Sequence, residues 1–350
     1  MTGYTTATVH SVDGTRIGYR QYGGNGPGLV LLHGGMKAAQ HFSTLAATLS
    51  DAFTVYVPDR RGRGRSGPHG AGHGMAREIE DLQALLAATG TELVFGLSIG
   101  GLIALRTALA ASAVESAGSA EFAAAPAPAP ASAATPTPAA TPAAAPAPTP
   151  AATPAAAPAP TPAAMPAPTP ASAPAAASAP AIRRLAVYEP PLSINGSIPT
   201  AWLARYDREL SAGHRAAALI TAMRGLPVEP IFHRVPRAAL TPLLALGLRA
   251  QKAGPDETTI ADLIPTQGHD VRLAEELADT VEDYAALRAR VLLLGGTRGP
   301  SFFEPALAAL EAAIPDARRI TFPGLTHEGP EDDGRPLIVA AALRDFFSAR

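Results

Sequence analysis

The sequence predicts an α/β fold, a mostly parallel sheet with helices on both faces, and three observations carry that prediction. The continuously apolar run at 29–32 reads as a strand buried on both faces, and 54–57 and the apolar 93–95 read as further strands. Stretches with helical spacing separate them: residues 40–49, and a face made by Ile79, Leu82, Leu85 and Leu86 that stops at Gly90. Strand and helix then go on alternating down the chain, as they do when a sheet is covered on two sides.

The elements follow in order. Residues 8–12 and 16–20 flank Asp13-Gly14, a strong hairpin signal, so the chain opens with two antiparallel strands. Strand 29–32 runs into His33-Gly34-Gly35-Met36, and strand 54–57 into an arginine- and glycine-rich loop over 59–67. From 123 to 180 the composition collapses to Ala, Pro, Thr and Ser with one Met165 and no charge, and residues 137–148 and 149–160 are the same twelve-residue word. Such closely spaced proline forbids helices and ladders alike, and alanine buries too little to fold, which predicts a disordered, polyproline-leaning insert. The fold resumes with strand 182–188 and Glu189. A mostly helical stretch, interrupted by Pro227, Pro230, Pro236 and Pro265, follows to about residue 286 and reads as a cap. Strands at 290–294 and 319–322 and helices at 302–314 and 336–347 complete the chain. The expected organisation is core 1–122, insert 123–180, core strand 181–191, cap 192–286 and core 287–350.

Bulk composition narrows the function. A net charge of −2 with 17% charged residues gives no field to recruit nucleic acid or an acidic membrane, so the expected partner is a small molecule. With no cysteine there is no disulfide, no thiolate nucleophile and no cysteine metal site. The opening residues lack a basic segment followed by an apolar one, and no run reaches the roughly 18 apolar residues of a bilayer span. A soluble cytoplasmic protein is the expectation. His214, His233 and His269 fall in the cap, and no pair of them has metal-ligand spacing, so neither a metal nor a cofactor is expected.

The chemistry concentrates at Gly96-Leu97-Ser98-Ile99-Gly100-Gly101, between the strand at 93–95 and the helix-like 102–106. A serine in a sharp strand-to-helix turn needs neighbours without side chains, and Gly96 and Gly100 supply that room. The following helix aims backbone N–H groups and its positive dipole end at an oxyanion forming on the serine. Taken with His33-Gly34-Gly35, the 55–66 segment and Phe322-Pro323-Gly324-Leu325-Thr326-His327, the chain resembles the α/β-hydrolase family in four motifs in the family's order. The resemblance covers nearly everything outside the insert.

That resemblance implies Ser98 as nucleophile, His327 as general base, and an oxyanion hole from the backbone N–H of Ile99 and of Gly35, with Met36 second. The resemblance and the near-neutral net charge make the arginine loop structural, and His33 is expected only to brace its own loop through hydrogen bonds. The commonest family position for the third member, the loop after the seventh strand, reads Gly295-Gly296-Thr297-Arg298-Gly299-Pro300 and holds no carboxylate. Glu189, directly after strand 182–188, is similar in placement to the acid of some haloalkane dehalogenases and is the expected acid; Glu304 and Asp283 are its rivals. Dehalogenases and epoxide hydrolases use an aspartate nucleophile, which Ser98 argues against. The expected activity is serine hydrolysis of an ester or related acyl compound through an acyl-enzyme. The alternatives are a cofactor-free haloperoxidase or perhydrolase on the same residues, or a non-catalytic ligand-binding protein.

Overall fold

The computed structural model describes residues 3–124, 179–226 and 231–349, so the insert expected over 123–180 lies almost wholly outside the described residues. Among these residues eight strands form one sheet: β1 (Thr5–His10), β2 (Arg16–Tyr22), β3 (Gly28–Leu32), β4 (Thr54–Pro58), β5 (Leu93–Leu97), β6 (Arg184–Tyr188), β7 (Arg290–Gly296) and β8 (Arg318–Phe322). Their order is β1-β2-β4-β3-β5-β6-β7-β8, with β2 antiparallel to both of its neighbours and every other pair parallel. The opening strand sits earlier than the 8–12 expected from sequence. Val12 is 81% exposed in the turn, so its apolar β-branched character reports no burial there.

Among the described residues, five helices cover the sheet: α1 (Ser43–Leu49), α2 (Met75–Thr89), α3 (Ile99–Ala124), α10 (Glu304–Ala313) and α11 (Pro336–Ser348). Period-two alternation sends Val30, Leu32 and Val94 into one core with α2, α3 and α10, and Leu29, Leu31, Leu93 and Phe95 into a second core with α1 and α11. Both faces are buried, which is why these strands read as unbroken apolar runs.

The cap is helical: α4 (Leu203–Ser211), α5 (Arg215–Gly225), α6 (Ile231–Arg234), α7 (Arg237–Ala250), α8 (Ile260–Leu263) and α9 (Gln267–Glu276). Its own small core joins Ile198, Trp202, Tyr206, Leu219, Ile264 and Val271. The cap is tied to the rest of the core by polar contacts as well: Met75 N–H donates to Glu276 Oε2 at 2.8 Å, and Thr258 N–H to Gln40 Oε1 at 2.7 Å. No helix among the described residues is long and apolar enough to cross a membrane.

The sheet order fixes where a ligand fits. From β3 the chain passes outward to β4 on one side and then returns to β5 on the other, so the connections diverge between β3 and β5. In open α/β sheets the crevice at such a reversal, beyond the carboxyl ends of the strands, is the binding site. The loop after β3 begins at His33 and the turn after β5 holds Ser98.

Candidate active site

Ser98 occupies the left-handed region at φ 54°. A non-glycine residue there carries backbone strain, and the surrounding structure holds it in place. Its N–H donates to the Tyr188 carbonyl at 2.8 Å on β6, and its own carbonyl accepts from Gly101 N–H at 2.9 Å as α3 begins. The flanking glycines are steric necessities. A Cβ on Gly96 would lie 2.5 Å from the Gly100 carbonyl oxygen, and one on Gly100 would lie 2.6 Å from the Leu32 carbonyl oxygen. Ile99 is the first residue of α3, so its N–H has no intrahelical acceptor.

Glu189 and His327 meet although 138 residues separate them: Nδ1 of His327 lies 2.7 Å from Oε2 of Glu189. Glu189 follows β6 directly, sits at φ 45° and is 2% exposed. Its other oxygen, Oε1, accepts the Gly296 N–H at 2.8 Å. The loop after β7, empty of carboxylates, closes over this side chain instead. A Cβ on Gly299 would lie 2.3 Å from Glu189 Oε1, so only glycine permits that approach. On the other flank, Tyr188 donates its hydroxyl to the Thr326 carbonyl at 2.7 Å, and the Phe303 ring stacks on the His327 imidazole with centroids 4.4 Å apart. With Nδ1 engaged by a carboxylate, Nε2 is the nitrogen left to exchange a proton. The rivals lie elsewhere: Glu304 opens α10 and pairs with Arg319, and Asp283 pairs with Arg106 at 2.8 Å.

Ser98 and His327 line one cavity of about 560 Å³, with Gly35, Met36 and Ile99 also in its wall. Its apolar lining comes from both the core and the cap, including Ile198, Met223, Leu226, Val271 and Phe302. The loop after β3 is built from below by His33. Arg60 N–H donates to its Nε2 at 3.2 Å, so Nδ1 carries the proton and donates to the Gly34 carbonyl at 3.0 Å. Burial, with Arg63 and Arg60 nearby, pushes the His33 imidazole well below its usual range and keeps it neutral. From above, α9 presses on the same loop. A Cβ on Gly35 would lie 3.0 Å from Gln267 Oε1 and 3.2 Å from Asp270 Oδ2.

The arginine loop is structural. Arg60 forms a fork with Glu78 at 3.0 and 2.7 Å and reaches Asp270 at 2.9 Å, while Arg63 pairs with the other oxygen of Asp270. Arg61 forms a second fork with Asp81 at 2.7 and 2.6 Å. Burial alone would raise the Asp270 carboxyl, but Arg63 and Arg60 outweigh it and hold the group down at about 2. Sequence reasoning missed Asp270 and Gln267 as parts of the cavity wall, because nothing local in α9 points to loops 200 residues upstream. Of the cap histidines, His214 and His233 are exposed. His269 is half-buried against His69 and His73, two histidines from outside the cap.

A family model described as serine aminopeptidase, S33, matches residues 27–212, which take in β3, the Ser98 turn and Glu189. The chain belongs to this family of α/β-hydrolases. Among solved structures, this α/β-hydrolase is similar over 98% of its length to the whole of an α/β-hydrolase from Sphaerobacter thermophilus, with a TM-score of 0.63 and 24% identity. It resembles an esterase from a Rhodococcus species at TM-score 0.58 and 19% identity, covering 100% of this chain and 99% of that one. An enol-lactonase from Burkholderia xenovorans matches at TM-score 0.57 and 17% identity over 97% of this chain and 100% of that one. In sequence, 96 residues are 34% identical to a 3-hydroxybutyrate-oligomer hydrolase from Cupriavidus necator, a match spanning 26% of this chain and only 33% of that protein.

Proposed function

We infer that this α/β-hydrolase is a serine hydrolase that cleaves an ester or related acyl compound through an acyl-enzyme, with Ser98, His327 and Glu189 as its triad. The observation that carries the reading is that Ser98, strained at the head of α3, opens on the same cavity as an imidazole whose Nδ1 is held by a buried carboxylate. Ser98 Oγ attacks the acyl carbonyl while His327 Nε2 takes its proton and Glu189 stabilises the imidazolium. The tetrahedral oxyanion accepts from the N–H groups of Ile99 and Gly35, with Met36 next in the same loop. The leaving alcohol takes the proton from His327, and water, deprotonated by the same imidazole, releases the acid and frees Ser98.

The largely apolar cavity favours a small or medium acyl group over a polymer or a highly charged ligand. An esterase, an enol-lactonase and a 3-hydroxybutyrate-oligomer hydrolase among the relatives support an acyl substrate. A series of p-nitrophenyl esters of increasing chain length tests the reading. Wild type should show saturable hydrolysis with a chain-length optimum, and Ser98→Ala should fall by a factor on the order of 10⁶ toward background. Hydrolysis that survives in Ser98→Ala would sink the assignment.

A further inference from the structure

Away from the Ser98 cavity, the loop that links β4 to α2 carries His69-Gly70-Ala71-Gly72-His73, and the cap helix α9 brings His269 against it. One ring nitrogen from each of the three histidines lies within 4.8 Å of the others. The ring centroids are 4.0 Å apart for His69 and His269, 4.6 Å for His69 and His73, and 5.2 Å for His73 and His269. We propose that these three imidazoles are the ligands of one divalent transition-metal ion of the zinc class, which fastens the cap helix to the core.

Three features support a ligand here in place of simple ring packing. Buried polar atoms are nearly always paired, yet His69 Nε2 and both nitrogens of His73 are buried and accept or donate no hydrogen bond. An imidazole gives a metal one nitrogen, and His73 Nε2 faces Glu78, so these atoms leave His69 and His73 with one unpaired nitrogen each for a common partner. The donor set is also right: three imidazoles with a fourth position open to water is an established zinc arrangement, and imidazole nitrogen suits Zn, Co, Ni and Cu but not Mg or Ca. Finally, a ligating histidine ordinarily gives its second nitrogen to a carboxylate, and Glu78 Oε1 lies 3.6 Å from His73 Nε2.

Arg60, Arg61 and Arg63 lie close by and would repel a cation, but each is matched by a carboxylate from Glu78, Asp81 and Asp270, so the surroundings present no net positive field. The geometry also needs adjustment. Tetrahedral Zn–N bonds of about 2.0–2.1 Å put ligand nitrogens about 3.4 Å apart. The cluster must therefore contract, and the stacked pair of His69 and His269, now 18° from parallel, must open into a fan. The loop permits this: Gly70 and Gly72 have positive φ of 74° and 73°, with open space beside them. Because α9 also carries Gln267 and Asp270, whose side chains border the oxyanion loop, the ion would brace one wall of the Ser98 cavity.

The test uses full-length protein without a histidine tag, stripped with chelator and desalted. Zinc is titrated calorimetrically, and cobalt by its visible d–d absorption. Wild type should bind one equivalent, show a tetrahedral-type cobalt spectrum, and gain melting temperature with zinc. His69→Gln and His269→Gln should each weaken binding by at least about tenfold, and lose the melting shift, whereas His214→Gln, altered at an exposed position, should bind as wild type does. Absence of a saturable one-equivalent site on wild type overturns the proposal whatever the variants do. So does binding that persists in the His69→Gln/His269→Gln double variant, or that is lost equally in His214→Gln.

Discussion

Replacing Glu189 by Gln probes the proposed triad at its least conventional member, and the structure sets the expected size. The carboxylate uses its two oxygens for two different donors: Oε1 takes the Gly296 N–H at 2.8 Å and Oε2 takes His327 Nδ1–H at 2.7 Å. An amide has one oxygen. If that oxygen stays with Gly296, the NH₂ group faces His327, Nδ1 must become the acceptor, and the proton moves to Nε2, where it blocks removal of the Ser98 proton. If the amide flips, two donors face each other at Gly296, at a cost of about 1–3 kcal/mol for a buried unpaired group. The wrong tautomer is therefore favoured. Comparable acid-to-amide changes lower kcat by about 10⁴, or about 5.4 kcal/mol of transition-state stabilisation. The assay is hydrolysis of one activated ester by Glu189→Gln, Glu304→Gln and Asp283→Asn, with folding followed by thermal melt. The latter two should keep near wild-type rates, since they disturb only ion pairs with Arg319 and Arg106. Retention of more than about a tenth of wild-type activity by Glu189→Gln, with collapse of another variant, would refute the assignment.

Two further predictions concern what holds the site. Asp270→Asn leaves Arg60 and Arg63 buried with one fewer anion and should destabilise the protein by about 3–5 kcal/mol in denaturant titration. Because the folded Asp270 carboxyl is held at about 2, below its unfolded value, it contributes stability above about pH 4 and loses it as pH falls toward 2. Wild type should lose more stability across that window than Asp270→Asn; equal slopes would contradict the pairing. Gly100→Ala places a Cβ 2.6 Å and 2.7 Å from the carbonyl oxygens of Leu32 and His33, so it should cost at least about 1–3 kcal/mol and shift the loop after β3. Gly247→Ala in α7, with nothing within 4 Å, serves as control and should be neutral or stabilising by up to about 1 kcal/mol.

The core was legible because its central strands, β3 to β7, are mostly buried on both faces while α2 carries one apolar stripe, so period separates them. The turn at Ser98 was legible for a local reason: the glycines two residues before and after it are dictated by backbone contacts that sequence spacing already encodes. The contact of Glu189 with His327 was expected only through the family resemblance, since the loop at 295–300 lacks a carboxylate and left Glu304 and Asp283 as rivals. In the same loop Gly299 is what lets the chain approach the Glu189 side chain, and the Gly296 N–H donates to it. What pattern could not reach were pairings set by the whole fold. Arg60 and Arg63 carry no sign that their anion comes from a cap helix about 200 residues on, and the His69-x₃-His73 spacing gains meaning only when α9 sets His269 beside it. The opening strand was displaced because a β-branched residue, Val12, stands exposed in a turn.

The central claim, that Ser98 is a nucleophile activated by His327, is tested most directly by labelling intact protein with a fluorophosphonate and mapping the adduct by mass spectrometry. One equivalent of phosphonyl mass on the peptide carrying Ser98 is predicted, with none on folded Ser98→Ala and much slower labelling of folded His327→Ala. Equal labelling of wild type and Ser98→Ala, or an adduct mapped to another residue, would contradict the account.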